Sequence, residues 1–179
     1  MISLNSKIIN LRPIETTDLE IIKKWRNSRE FQPYFREYRE FSQAHIEHWY
    51  NSMILDDKFE FFLIEDESQK PIGVTGFTYI NWINKHADIH ITNNVHGWVD
   101  DFYSPETLRV MLDYGFNYLN FNKIYAEVYE IDKKKLTFFN NNNFKNDAIL
   151  RQHYFFKGRY INSHILSLLR SEYNNRKLH

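Results

Sequence analysis

Two groups of residues in this chain have types and spacing that could do chemistry. The first is the stretch from Ala87 to Phe116, where Asp88 and His90 alternate with Ile89 and Ile91. That period of two puts a carboxylate and an imidazole on the polar side of a half-buried strand. The run from Asn93 to Tyr103 then leads into Ser104-Pro105. There serine can cap free N–H groups, and proline fills a position whose N–H is not needed. Strand, loop and capped helix together aim backbone N–H groups and a positive dipole end at one point, which suits a phosphate. The plainer alternative is the capped helix that any α/β unit needs after a strand. The second group is Arg29 to Phe41, with Arg29, Arg36 and Arg39 interleaved among Phe31, Tyr34, Phe35, Tyr38 and Phe41. Aromatic faces stack on planar rings, and arginine forks match phosphate or carboxylate. The segment reads either as a substrate-binding surface, for example for a nucleotide-linked molecule, or as a packed flap or dimer contact, where Tyr and Arg are also enriched.

Other candidates are weaker. His45 and His48 sit three apart on a helix without a third ligand nearby, so no metal site is expected. No Ser-His-Asp arrangement and no Walker loop occurs.

The elements that must position these groups follow from periodicity. Lys7 to Arg12 reads as a strand stopped by Pro13, and a helix begins near Thr16 or Thr17 and ends about Arg26-Asn27. Ser42 caps a second helix with Ile46, Trp49, Tyr50 and Met53 on one face. Phe59 to Glu65 and Ile72 to Tyr79 form an antiparallel pair around the turn Asp66 to Lys70. The helix after Ser104 shows Leu108, Met111, Leu112, Gly115, Phe116 and Leu119 on one side. In the strand Lys123 to Tyr129, Ile124, Ala126 and Val128 face one way, while Tyr125, Glu127 and Tyr129 face the other. A short helix starts at Asp132, and Ile149 to Phe156 and Tyr160 to Leu169 flank the hairpin signal Lys157-Gly158-Arg159. The order is β-α-α-β-β-β-α-β-α-β-β, read as a single domain over 1–179 with 174–179 frayed.

Composition narrows the functions. Of 179 residues, Lys+Arg and Asp+Glu number 23 each, so the net charge is zero with His neutral. That argues against a nucleic-acid partner held by bulk charge. Aromatics reach 17%, more than a core alone demands, so some line a binding surface. The absence of cysteine rules out disulfides, a thiol nucleophile and a zinc–thiolate site, and fits a reducing compartment. No signal peptide or membrane span is visible, so a soluble cytoplasmic protein is expected.

The element order, together with local matches, resembles the GNAT superfamily of acyl-CoA-dependent N-acetyltransferases over nearly the whole chain. Leu11-Arg12-Pro13 with Asp18-Leu19, Pro71-Ile72-Gly73, and Leu112-Asp113-Tyr114-Gly115-Phe116 followed by Asn122-Lys123-Ile124 carry the likeness. Trp25-Arg26-Asn27 with Trp49 resembles the branch of ribosomal-protein N-terminal and nucleotide-aminosugar acetyltransferases. Leu150 to His153, Lys157 to Tyr160 and Leu168 to Glu172 resemble the aminosugar enzymes.

The resemblance implies a mixed α/β (α+β) fold with a mostly antiparallel sheet of about seven strands, helices on both faces, and one splayed parallel pair, Ala87–Thr92 beside Lys123–Tyr129. Acetyl-CoA would lie in that splay, held by Ile91, Thr92, Gly97, Trp98, Val99, Tyr103, Ser104, Asp132, Lys135 and Phe139. Glu127 would be the base, with His90 and Asp88 as rivals. Trp25, Arg26, Asn27, Arg29, Tyr34 and His153 would meet the acceptor, a small-molecule amine and foremost a nucleotide-linked amino sugar. A homodimer is an open option, and no metal, nucleic acid or membrane is implied. Two departures stand out. The pyrophosphate loop keeps only Gly97 of the usual glycines and carries Asp100 and Asp101, whose charges oppose a phosphate. Phe139 stands where the family places the tyrosine that protonates the leaving thiolate, and Asn143 stands where a turn glycine is usual. They keep two alternatives open: a GNAT-fold binding or regulatory module, and a protein N-terminal acetyltransferase.

Overall fold

A computed structural model describes residues 4–30, 32, 35, 39–94, 99 and 102–176. Seven strands form one sheet: β1 (Ile9–Pro13), β2 (Glu60–Asp66), β3 (Pro71–Asn81), β4 (His86–Asn93), β5 (Lys123–Tyr129), β6 (Lys145–Phe156) and β7 (Arg159–Leu169). Their spatial order is β1-β2-β3-β4-β5-β7-β6. Every neighbouring pair is antiparallel except β4 and β5. A parallel neighbour needs a crossover, and helix α3 (Tyr103–Asp113) supplies it. The remaining helices are α1 (Leu19–Arg26), α2 (Gln43–Ile54), α4 (Lys133–Asn141) and α5 (Arg170–Arg176).

The helices cover both faces, as expected. On one face Leu108, Met111, Leu112 and Phe116 pack on Phe77, Ile91 and Ile124, and Phe138 and Phe139 of α4 join them. On the other, Leu19 and Ile22 of α1 and Ile46 of α2 pack on Leu63 and Val74. The start of α1 is tied to the sheet by Arg12. Its guanidinium donates to both Asp18 carboxylate oxygens (2.7 and 2.9 Å) and to Glu65 Oε1 (2.6 Å). Hydrogen bonding to Arg12 holds the Asp18 carboxyl below its usual range.

Ser42 caps α2, its side chain accepting from the His45 N–H. Ser104 does not cap α3. The helix starts a residue earlier, no side chain caps it, and Ser104 is buried within its first turn. The Phe102 and Tyr103 rings meet edge to face at 4.7 Å, and Tyr103 packs on the main core, which pulls the chain into the helix sooner. Beyond Asp113, α3 widens into a π-helical turn, Tyr114–Tyr118, and α5 also had no clear sequence signal. Gly115 sits in that turn because a Cβ there would lie 2.7 Å from Ile124 Cδ1 and 2.9 Å from Phe77 Cζ. Asn143 has φ of 63°, the left-handed conformation that asparagine tolerates.

Candidate active site

The site begins where a ladder stops. β4 and β5 pair only at His86–Lys123, Ala87–Ile124 and Asp88–Tyr125. β4 continues to Asn93 and β5 to Tyr129, so the strands part beyond Asp88. The slot between them is part of a cleft of about 500 Å³. One wall is polar: Asp88, His90 and Thr92 of β4, Glu127 and Tyr129 of β5, and Asp132 and Lys135 at the start of α4. The opposite wall is aromatic, built by Trp25, Phe35, Phe41, Trp49 and Phe61 from α1, the segment after it, α2 and β2.

Local packing fixes the polar groups. His90 Nε2 lies 2.8 Å from Thr92 Oγ1, its carbonyl accepts from Thr75 Oγ1 at 2.8 Å, and Phe61 meets its ring edge to face. The Glu127 side chain is 13% exposed, and His153 Nε2 stands 3.7 Å from its Oε1. Asp132 caps α4 by accepting from the Lys135 N–H at 3.0 Å, and Lys135 itself is buried. Arg26 lies against two rings, its Cζ 3.7 Å from the Phe35 centroid and 4.8 Å from that of Phe41. This is a cation–π stack that makes the arginine part of the wall.

The structure thus brings together Asp88, His90, Thr92, Glu127, Asp132, Lys135, Trp25 and Arg26, with His153 beside Glu127. Other expected site residues are placed elsewhere. Asn27 is a loop clamp: its amide donates to the Phe41 carbonyl (2.9 Å) and accepts from the Phe41 N–H (2.8 Å). Arg29 is exposed and outside the cleft. The Ile91 side chain points into the main core, as does Val99, so Ile91 can border the slot only through its backbone. Tyr103 and Ser104 serve the start of α3. Phe139 is fully buried against Phe138 and Phe144 and does not reach the cleft. Gly97, Trp98 and Tyr34, like Asp100 and Asp101, lie outside the described residues.

Sequence reasoning missed Asn94. It lines the cleft, and its Oδ1 is buried without a hydrogen-bond partner among the described residues. An acceptor so placed suits a ligand carrying N–H groups, such as the amides of a pantetheine arm. Lys135, which also lines the cleft, brings an ammonium that suits thiolate or phosphate charge. The residues present therefore fit an acyl-CoA in the slot. Among the described residues no cluster suited to a metal ion occurs.

Comparison with known proteins gives the same direction. The family profile described as Acetyltransferase (GNAT) domain matches residues 9–145. The chain is 30% identical over 173 residues to the spermidine N(1)-acetyltransferase of Vibrio cholerae, covering 97% of this chain and 99% of that protein. It is 29% identical over 177 residues to the uncharacterized N-acetyltransferase p20 of Bacillus licheniformis, covering 97% and 99%. The crystal structure of the Vibrio cholerae spermidine N-acetyltransferase in complex with CoA and spermine matches with a TM-score of 0.87 at 29% identity, covering 96% of this chain and 100% of that one. The ribosomal-protein and aminosugar branches suggested by short motifs are thus corrected: the relatives here whose substrate is named are spermidine acetyltransferases.

Proposed function

We propose, from the premise that the chain belongs to the GNAT acetyltransferase family, that the amine it acetylates is an aliphatic polyamine of the spermidine class. The chain is an acetyl-CoA-dependent N-acetyltransferase acting on an amine. The observation that carries the acceptor reading is the pair Asp88 and Glu127, on the two parted strands, facing into an aromatic-lined cleft. Carboxylates attract an ammonium, while the faces of Trp25, Trp49 and Phe61 suit both cations and methylene chains. A nucleotide-linked sugar would instead need several cations for its phosphates, and on the aromatic wall the described cation is Arg26, stacked against Phe35 and Phe41. Spermidine is also the substrate named for the similar Vibrio cholerae enzyme.

When bound, acetyl-CoA supplies a thioester carbonyl activated toward amine attack. Glu127 takes the proton that the ammonium must lose, directly or through one water, and His153 at the rim steadies its carboxylate. Asp88 orients the ammonium. Lys135 and the start of α4 favour the negative charge that leaves with the thiol. Phe139 donates no proton, but a thiolate is a good enough leaving group that an acid is not obligatory. A cytoplasmic homo-oligomer accompanies this reading. No described helix is long and apolar enough to cross a membrane. A similar Vibrio cholerae chain, with a TM-score of 0.79 at 28% identity, has been solved as a dodecamer.

The test compares CoA release with spermidine, a nucleotide-linked amino sugar and a short peptide bearing a free N-terminus. Spermidine should give the largest kcat/KM by at least about tenfold, the worth of one well-placed charge contact. Preferred turnover of the sugar nucleotide or the peptide refutes the polyamine reading.

A further inference from the structure

Strand β6 is an exposed edge, and Tyr154 alone among its twelve residues is buried. A break in register comes just before it. Pairing of β6 with β7 slips between Leu150 and Tyr154, and Gln152 adopts φ of 52°. A left-handed glutamine is unfavourable, so surrounding contacts must hold it. Asn162 does so: its Oδ1 accepts from the Gln152 N–H at 2.9 Å, and its Nδ2 donates to Glu130 Oε2 at 3.0 Å. Bulges of this kind re-aim side chains. Here Tyr154 follows the bulge and lies over the end of β5, where its ring stacks on Tyr129 at 3.9 Å between centroids and 7° between planes. The Tyr154 hydroxyl then donates to the Phe35 carbonyl at 3.0 Å.

Tyr129 belongs to the polar wall of the cleft, and Phe35 to the aromatic wall. Phe35 also stacks against Arg26, which in turn meets Phe41, itself clamped by Asn27. We infer that Tyr154 is a positioning residue that joins the acyl-CoA slot to the acceptor wall: its ring braces Tyr129, and its hydroxyl fixes where Phe35 and Arg26 stand. The inference deepens the polyamine reading and rests on it only for the choice of substrate probe.

The ring and the hydroxyl can be separated. Tyr154→Phe keeps the stack and removes the bond to Phe35, whereas Tyr154→Leu removes both. With spermidine as the probe, Tyr154→Phe should raise the amine KM about fivefold, the effect of one net hydrogen bond, with little change in kcat. Its affinity for acetyl-CoA, measured by calorimetry, should match the wild type. Exchange of the Phe35 and Phe41 amides, bonded to Gln32 O and Asn27 Oδ1, should quicken by a similar factor. Tyr154→Leu should in addition weaken acetyl-CoA binding. Unchanged KM and unchanged amide exchange in Tyr154→Phe would overturn the inference, as would acetyl-CoA affinity that falls equally in both variants. If wild-type protein does not turn over spermidine, the polyamine reading fails, and the amide exchange still decides the role of Tyr154.

Discussion

Replacing Glu127 with glutamine separates two roles that the cleft allows for this carboxylate. The change keeps size and shape at a side chain only 13% exposed, so packing is preserved. The ion pair lost with His153 costs at most about 1 kcal/mol, because that imidazole is more than half exposed and the pair is screened. If Glu127 is the base, the rate falls by about 10²–10⁴ in kcat, the usual contribution of a positioned proton acceptor. If it only anchors the ammonium, the loss appears in KM. A carboxylate about 4 Å from an ammonium contributes up to about 4 kcal/mol at an effective dielectric near 20, so KM would rise up to about a thousandfold with kcat preserved. Free CoA can be followed with a thiol-reactive chromogen without background, since the chain contains no cysteine. The base assignment predicts a kcat loss of at least about a hundredfold. A variant with wild-type kcat and only a raised KM would transfer the base role to Asp88 or His90.

Four further outcomes concern the frame that holds this cleft. Gly115→Ala should destabilise by about 1–3 kcal/mol in urea unfolding, because its Cβ would press on Ile124 and Phe77. Asn143→Ala should cost about 1 kcal/mol at its left-handed φ, whereas Asn143→Gly should be neutral within about 0.5 kcal/mol. Arg12→Met should cost about 2–3 kcal/mol, below the range for a fully buried pair, since Arg12 is 31% exposed while Asp18 and Glu65 are buried. The same cluster sets an acid limit. The carboxyl of Asp18 is lowered in the fold, so its contribution is present above the ordinary value of 3.8 and is lost as pH falls through the lowered one. Stability measured from pH 5 down to 2 should therefore drop less steeply in Asp18→Asn than in the wild type.

What was legible in the sequence was what local physics decides. Alternation placed Asp88, His90 and Glu127 on the polar side of two strands, and the structure sets those strands side by side with their ladder cut short after Asp88. Ser42 was readable as a cap because a cap acts within three residues. The failures are tertiary. Ser104 looked like the same signal, but the packing of Tyr103 moved the helix start. The π-helical turn exists because Phe77 and Ile124 crowd Gly115 from other parts of the chain. The run Arg29 to Phe41 read either as a surface for a nucleotide-linked molecule or as a packed flap or dimer contact, since nothing local shows that Phe35 and Phe41 stack against Arg26 of α1. Tyr154 gave no signal at all. On an alternating strand it would be one more exposed side chain, whereas in the fold it follows the slip at Gln152, held by Asn162, and is buried. The acceptor wall is built from segments far apart in sequence, so its chemistry emerges only when they meet. That is why short motifs found the superfamily but chose the wrong branch. The branch motifs include Trp25-Arg26-Asn27 and Trp49, on or beside the α1 and α2 helices that build the aromatic wall, yet residue types on single helices do not show the shape and charge of the cleft they form together.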